Sequence, residues 1–175
     1  MTEKITFLIL ECKKNNKKAQ IQIYDLFCKA MFYVALKYVK NDEEAKDAMQ
    51  DGFLKAFSNL DSYEDSTNFG AWLKKIVINI CIDKLKKRKI ETVSLENYPI
   101  EIVNDDDWSF DAKITKTQIL EAIEQLNLKY QLVVKLYLLE GYDHEEIAEI
   151  LKIPIKTSRT HLRRGKLILR NNLKL

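Results

Sequence analysis

Apolar side chains recur at helical spacing along most of this 175-residue chain, and little interrupts them. In residues 19–40, 41–60 and 69–85 they follow one another at intervals of three and four, which places them along one side of an α-helix. Helix-breaking residues are scarce, since the chain has only four glycines and two prolines. The sequence therefore predicts an all-α protein in which these three helices close an N-terminal bundle. The positions predicted to be buried are Ile23, Leu26, Phe27, Ala30, Met31, Val34, Ala35 and Tyr38; Ala45, Ala48, Met49, Phe53, Ala56, Phe57 and Leu60; and Phe69, Trp72, Leu73, Ile76, Val77, Ile80, Cys81 and Leu85.

The charges are unevenly distributed, although the net charge is only +3. Residues 91–112 contain seven acids, no Lys or Arg and one proline, which predicts an extended, flexible acidic linker. Residues 84–89, "KLKKRK", hold five cations, and residues 150–175 hold eight basic residues and no acid. Two basic modules joined by an acidic linker indicate a polyanionic partner. The predicted organisation is an N-terminal domain at 1–90, the linker at 91–112 and a C-terminal domain at 113–175.

Several other classes of protein are disfavoured by the sequence. No apolar run is long enough for a membrane helix, and the N-terminus lacks a signal-peptide cleavage pattern, so a cytoplasmic location is expected. The three cysteines show no C-x-x-C spacing that would indicate a zinc site. With two histidines and no Gly-rich phosphate loop, the chain is not expected to be an enzyme or to use a metal, a cofactor or a small-molecule substrate.

Residues 143–166, "DHEEIAEILKIPIKTSRTHLRRGK", predict a helix-turn-helix. Asp143 and Glu146 form a capping box that starts the first helix. Pro154 ends that helix and starts the second within three residues, because proline is tolerated only in a helix's first turn. The second helix is expected to bury Ile155, Ser158, Leu162 and Leu169. Its exposed face then holds side chains suited to the major groove and to phosphates, which are Lys156, Thr157, Arg159, Thr160, Arg163 and Arg164.

Three stretches, in this order, resemble one protein family. They are "YDLFCKAMFYVALKYVKNDEEAKDAMQDGFLKAFSNLDSY" at 24–63, "FGAWLKKIVINICIDKLKKRK" at 69–89 and "AIEQLNLKYQLVVKLYLLEGYDHEEIAEILKIPIKTSRTHLRRGK" at 122–166. Together they are similar to the extracytoplasmic-function (ECF) sigma factors of bacterial RNA polymerase. The resemblance implies an N-terminal domain that binds core polymerase and opens the minus-ten element, a linker that threads the enzyme, and a C-terminal domain that reads the minus-thirty-five element of promoter DNA. It also implies an anti-sigma factor as a second protein partner.

The resemblance assigns roles to particular side chains. The face that docks on core polymerase corresponds to Asp47, Gln50, Asp51 and Leu54. The minus-ten contacts correspond to Tyr63, Asn68, Lys75, Asn79, Asp83, Lys86 and Arg88, with Tyr63 expected in a flexible loop that can stack on an extruded base. The minus-thirty-five contacts correspond to the six polar residues of the second helix named above.

Four positions depart from the family pattern. Lys152 stands where a helix-turn-helix often has glycine, so the corner is expected to be strained or to have a different backbone. Pro154 replaces a hydroxyl cap, and Ser158 replaces a β-branched apolar residue. Gly70 stands where relatives often have a larger polar or basic side chain. These four departures are expected to affect which promoter sequence the chain prefers.

Two alternatives stay open from the residues alone. The chain could be a conventional DNA-binding regulator whose N-terminal bundle senses a ligand, in which case it would bind duplex DNA tightly without polymerase. It could also be an enzyme, although "HEEIA" lacks the second histidine of a zincin helix.

Overall fold

The computed structural model describes residues 2–64, 68–90 and 114–173. All regular secondary structure in these ranges is helical, which confirms the all-α prediction. The chain divides into two compact units, residues 1–94 and 95–175. The acidic linker predicted at 91–112 lies outside the described residues. None of the described helices combines the length and apolarity that a membrane crossing requires.

The N-terminal unit is a bundle of four helices rather than three. They are α1 (Thr2–Lys13), α2 (Lys17–Leu36), α3 (Asp42–Ser58) and α4 (Phe69–Ile90), with a short 3-10 turn at Leu60–Ser62. Helix α1 was not among the three predicted helices, but its Leu8, Ile9 and Cys12 are buried and it packs on α2. Asn16 starts α2, because its side-chain oxygen accepts from the backbone N–H groups of Lys18 and Ala19.

The core of this unit differs from the predicted one at particular positions. Leu26 and Ala30 lie on the exposed side of α2, where Leu26 retains 51% of its accessible surface. In α4 the predicted positions Leu73, Val77 and Cys81 are buried, whereas Trp72, Ile76, Ile80 and Leu85 are only half-buried. Ile78 and Ile82 take their place in the core. The buried band of α4 is therefore rotated and wider, because both α2 and α3 pack against this helix.

Gly52 is the point of closest approach between α3 and α4. A Cβ atom at this position would lie 2.5 Å from Cγ2 of Val77 and 3.6 Å from its Cβ. Only the absence of a side chain on α3 allows the two backbones to come this near.

The C-terminal unit contains α5 (Lys116–Glu124), α6 (Leu128–Val134), α7 (His144–Leu151) and α8 (Ile155–Asn172). A π-helical turn, Lys135–Leu139, continues α6. Thr115 and Gln118 form a capping box that fixes Lys116 as the first residue of α5. Helix α8 packs on α6 and α7, and its Gly165 would place a Cβ 2.6 Å from Cγ2 of Val134.

A buried polar cluster joins α5 to α6. The side-chain amide of Gln131 donates to the carbonyl oxygens of Ile123 and Glu124, each at 3.1 Å, and so satisfies groups at the C-terminal end of α5. Nζ of Lys135 lies 2.6 Å from Oε1 of Glu124. The Lys135 side chain is only 3% exposed, so this ion pair is sheltered from solvent on the lysine side.

Candidate polymerase and nucleic-acid interfaces

The first candidate interface is the acidic face of α3, formed by Asp47, Gln50, Asp51 and Leu54. All four side chains are exposed, and Leu54 retains 67% of its accessible surface. They project because Ala45, Ala48, Met49, Phe53 and Ala56 turn the opposite side of α3 into the bundle. A large apolar side chain among carboxylates on a solvent-facing helix is suited to a protein partner.

The acidic face continues into ion pairs with α4. Asp51 Oδ2 lies 3.0 Å from Nζ of Lys84. Glu44, seven residues earlier in α3, pairs with Arg88, four residues later in α4. The hydrogen bond from the Arg88 guanidinium lowers the pKa of Glu44; burial opposes this effect and the Asn41 amide adds to it. Asn41 caps α3, accepting from the Glu44 N–H at 2.7 Å. The Glu44 carboxylate accepts from the Asn41 side-chain amide at 2.7 Å.

Tyr63 does not lie in an exposed loop, so the expectation that its ring is free to stack on a base is wrong for this conformation. Its side chain is 8% exposed. Its ring centroid lies 5.4 Å from that of Phe69 and 5.4 Å from that of Trp72. The aromatic contacts attach the chain just before residues 65–67, which lie outside the described residues, to the start of α4.

The outer side of α4 brings most of the predicted minus-ten residues together. Lys75, Asn79, Asp83 and Lys86 are spaced by four, four and three residues, which puts them on one face of the helix. Asp83 is exposed, and the other three are half-buried. The exposed Asn68 immediately precedes α4, and its side chain accepts from the Ala71 N–H at 3.3 Å.

Arg88 is separated from the other predicted minus-ten residues. With Lys84 it lies on the side of α4 that faces α3, where the two cations pair with Glu44 and Asp51. The basic stretch 84–89 is therefore divided between two faces of one helix, a division that the spacing of four between residues 84 and 88 could have indicated.

The helix-turn-helix corner is confirmed. Asp143 Oδ1 accepts from the N–H groups of Glu145 and Glu146, and the Glu146 carboxylate accepts from the Asp143 N–H. Lys152 ends α7 in the left-handed conformation, with φ of 56° and ψ of 51°, which confirms the strain expected from the missing glycine. Pro154 precedes α8 in an extended conformation without a side-chain cap.

The reading face of α8, defined as Lys156, Thr157, Arg159, Thr160, Arg163 and Arg164, points away from the body of the unit. Four of these side chains are exposed, and Thr157 and Arg164 are half-buried along its edge. Ser158, Leu162, Gly165 and Leu169 are buried on the opposite side. Ile155 was expected among the buried residues but is 39% exposed, because it occupies the first turn of α8 beyond the contacts with α7.

Both histidines, His144 and His161, are half-buried. His144 Nδ1 lies 2.9 Å from Oγ of Ser158, and its ring stacks on Tyr137. His161 meets the ring of Tyr130 edge-on. Burial is the largest cause that lowers the pKa of each histidine, followed by nearby cations. The described residues contain no group of three or more His, Cys, Asp or Glu that could hold a metal ion.

Comparison with known proteins places both units in one family. Residues 23–90 match the family model described as Sigma-70 region 2, and residues 116–169 match the one described as Sigma-70, region 4. The ECF RNA polymerase sigma factor SigW of Bacillus subtilis is 30% identical to this chain and aligns over 95% of each protein. The chain belongs to the ECF sigma factors. As an ECF sigma factor it recognises promoters and acts in transcription initiation.

Further relatives of this ECF sigma factor agree. The RNA polymerase sigma factor SigV of Bacillus subtilis is 29% identical, over 92% of this chain and 95% of the relative. The sigma factor RpoE, solved in complex with the anti-sigma factor NepR from Bartonella quintana, has a TM-score of 0.58 and 25% identity, over 88% of this chain and 96% of that one. The structure of CnrH in complex with the cytosolic domain of CnrY shares the fold, with a TM-score of 0.59 and 18% identity over 99% and 98% of the two chains. The region 2 match extends from within α2 to the end of α4, and the region 4 match extends from α5 into α8.

Proposed function

We propose a division of labour between the two units of this sigma factor. The acidic face of α3 binds core RNA polymerase. The chain between α3 and α4, together with the outer side of α4, opens and reads the minus-ten element. The reading face of α8 binds the minus-thirty-five element, and the segment 91–112 spans the distance within the enzyme. The protein carries out no chemistry of its own and acts in the cytoplasm.

The observation that carries this proposal is the two-sided build of α8. One side is held in the unit by Leu162, Gly165 and Leu169, and the other presents four cations and two threonines. Arginine can pair bidentately with guanine in the major groove, and lysine and threonine can hold phosphates. No sensor domain needs such a face, whereas a promoter-reading domain does.

The minus-ten role rests on Asn68, Lys75, Asn79, Asp83 and Lys86. Amide and carboxylate groups can read the edges of unstacked bases, and the two lysines can hold phosphates. Tyr63 takes a supporting role in this arrangement, since its ring is held by Phe69 and Trp72. An anti-sigma factor is a further expected partner, in line with the complex solved for RpoE from Bartonella quintana.

Core binding and DNA binding can be tested separately. We expect the triple variant Asp47→Ala, Gln50→Ala, Asp51→Ala to lose at least about tenfold in affinity for core polymerase, since buried charged pairs at an interface cost about 2–5 kcal/mol when truncated. The matched control replaces two acids and one amide that are exposed in the other unit, as Glu121→Ala, Gln125→Ala, Glu145→Ala. Fluorescence anisotropy with purified core enzyme measures both. Unchanged core affinity in the first variant would contradict the assignment of this face.

A further inference from the structure

The first turns of α7 and α8 are joined by a hydrogen bond that no promoter contact requires. His144 is the first residue of α7, and its Nδ1 lies 2.9 Å from Oγ of Ser158 in the first turns of α8. Ser158 has 0% of its surface exposed, so water does not compete for its hydroxyl. The other side of the His144 ring is occupied by Tyr137, at a centroid distance of 5.0 Å and an interplanar angle of 26°. The imidazole is thus held by a face contact to the π-helical turn and by an edge contact to α8.

Ser158 has few other acceptors within reach. A serine in a helix commonly donates back to the carbonyl four residues earlier, which here is that of Pro154. That oxygen already accepts the N–H groups of Thr157, at 2.9 Å, and of Ser158, at 3.1 Å. Since a carbonyl oxygen has two lone pairs, both are engaged. With that oxygen engaged, we assign Nδ1 of His144 as the acceptor of the Ser158 hydroxyl proton, which requires the neutral ring to carry its own proton on Nε2.

The hydrogen bond between His144 and Ser158 lies directly behind the reading face of α8. Ser158 is flanked by Thr157 and Arg159, which belong to the reading face, and it stands on the opposite side of the same helical turn. Pro154 provides no side-chain cap for this end of α8. The first turns of α8 are therefore oriented by the buried side of the helix, where the hydrogen bond between His144 and Ser158 provides a directional polar contact to α7.

We infer that His144 is a positioning residue for minus-thirty-five recognition, acting through Ser158 and stacked on Tyr137, so that the pair sets the angle at which α8 enters the major groove. This inference rests on the proposed function of α8. Neither residue touches DNA in this role. The pair fixes the direction in which Arg159 and its neighbours reach the bases, so its loss lowers sequence discrimination.

The charges around His144 add a dependence on pH. Arg159 and Lys166 of α8 disfavour protonation of the ring through their positive charges, whereas the adjacent Asp143 favours it. Tyr137 covers a face of the ring. A protonated ring can no longer accept from Ser158 and is repelled by the two cations. Burial and these cations lower the pKa of His144 from 6.5, so recognition in the wild type should weaken as the pH falls through that lowered pKa.

The test is a cycle of three variants in the full chain with core polymerase. The ratio of initiation on an intact promoter to initiation on one with a substituted minus-thirty-five element is measured at 25 °C, after circular dichroism has shown each variant to be folded. His144→Phe keeps the stacked ring and leaves the Ser158 hydroxyl without its acceptor, so the ratio should fall about fivefold, because an unsatisfied buried polar group costs more than the bond itself. Ser158→Ala should lower the ratio less, since the half-buried His144 can turn to solvent. The double variant should recover towards the wild type, because both partners of the bond are then apolar.

His161→Phe is the matched control, since it replaces the other half-buried histidine of the unit and should keep the wild-type ratio. Lowering the pH from 7.5 to 6 should reduce the ratio for the wild type and for His161→Phe but not for the double variant. The positioning role would be overturned if His144→Phe left the ratio unchanged. It would also be overturned if the ratio of the double variant fell by as much as the two single variants combined. If the wild type starts no core-dependent transcription at all, the proposed function of α8 falls and the promoter-reading role of the pair falls with it.

Discussion

Replacing Gly52 with alanine should destabilise the N-terminal unit, even though alanine is the better helix former. Alanine in a helix interior gains about 0.5–1 kcal/mol over glycine. The new Cβ, however, would lie 2.5 Å from Cγ2 of Val77, far inside van der Waals contact. Val77 is fully buried, so its side chain cannot move aside into solvent. Overpacking of this kind costs about 1–3 kcal/mol, which exceeds the gain over most of this range and leaves a net loss of up to about 2.5 kcal/mol.

The assay is urea unfolding followed by tryptophan fluorescence in a Trp108→Phe background, which leaves Trp72 of the N-terminal unit as the only tryptophan. Val77→Ala removes the clashing methyl and leaves the Val77 Cβ position at 3.6 Å, an ordinary contact. In that second background Gly52→Ala should be neutral or stabilising. The coupling free energy between the two sites should then equal the overpacking cost, about 1–3 kcal/mol. Equal effects of Gly52→Ala in the presence and absence of the Val77 methyls would refute the close approach of α3 and α4.

Three other predictions concern the C-terminal unit. Lys152→Gly should raise the free energy of unfolding of this unit by about 0.5–1 kcal/mol, because residue 152 has a left-handed backbone. Lys152→Ala should give no gain. Urea titrations followed by circular dichroism compare the two variants. Glu124→Ala should lower the free energy of unfolding by about 2 kcal/mol or more, because the buried Lys135, 3% exposed, loses its carboxylate partner. Lys135→Met should lower it by less than about 1 kcal/mol, because no buried charge is then left. Equal losses in thermal melts of the two variants would contradict this asymmetry. Burial lowers the pKa of His144 and His161 from 6.5, so the unfolded chain binds these protons more readily than the folded unit does. The contribution of the two histidines to stability should be complete above pH 6.5 and should decline as the pH falls below 6.5. The difference between the urea midpoints at pH 8 and pH 5.5 should therefore be smaller for His161→Phe than for the wild type.

The elements that were predictable from the sequence are those with local signals. The start of α7 is set by the Asp143 capping box and the start of α8 by Pro154, and both signals act within a few residues of the chain. The reading face of α8 follows from the same local pattern, because its buried side is spaced by four, three and four residues.

The features that were not predictable depend on tertiary contacts. Helix α1 is held by its packing on α2, which no local pattern reveals. The exposure of Leu26 and the burial of Ile78 depend on which sides of α2 and α4 are covered by neighbouring helices. The sequence around Tyr63 does not indicate whether its ring is exposed or buried. The ring is buried because Phe69 and Trp72 pack against it.

The hydrogen bonds and ion pairs between helices at the candidate site could not be predicted from the sequence either. His144 and Ser158 are 14 residues apart, so their bond exists only once α7 and α8 have docked. The pairing of Asp51 with Lys84 likewise requires α3 and α4 to pack side by side. The residue types were visible in the sequence, but the pairing of these residues across helices was not.

The central claim is that two helical units read two separate elements of one promoter while core polymerase bridges them. Transcription in vitro with core enzyme on genomic fragments, followed by mapping of the RNA 5′ ends, tests it most directly. The account predicts core-dependent start sites preceded by two shared sequence elements at a fixed spacing, with substitutions on the reading face of α8 altering only the upstream element. Tight binding to duplex DNA without polymerase, together with no shared pair of elements upstream of the start sites, would contradict it.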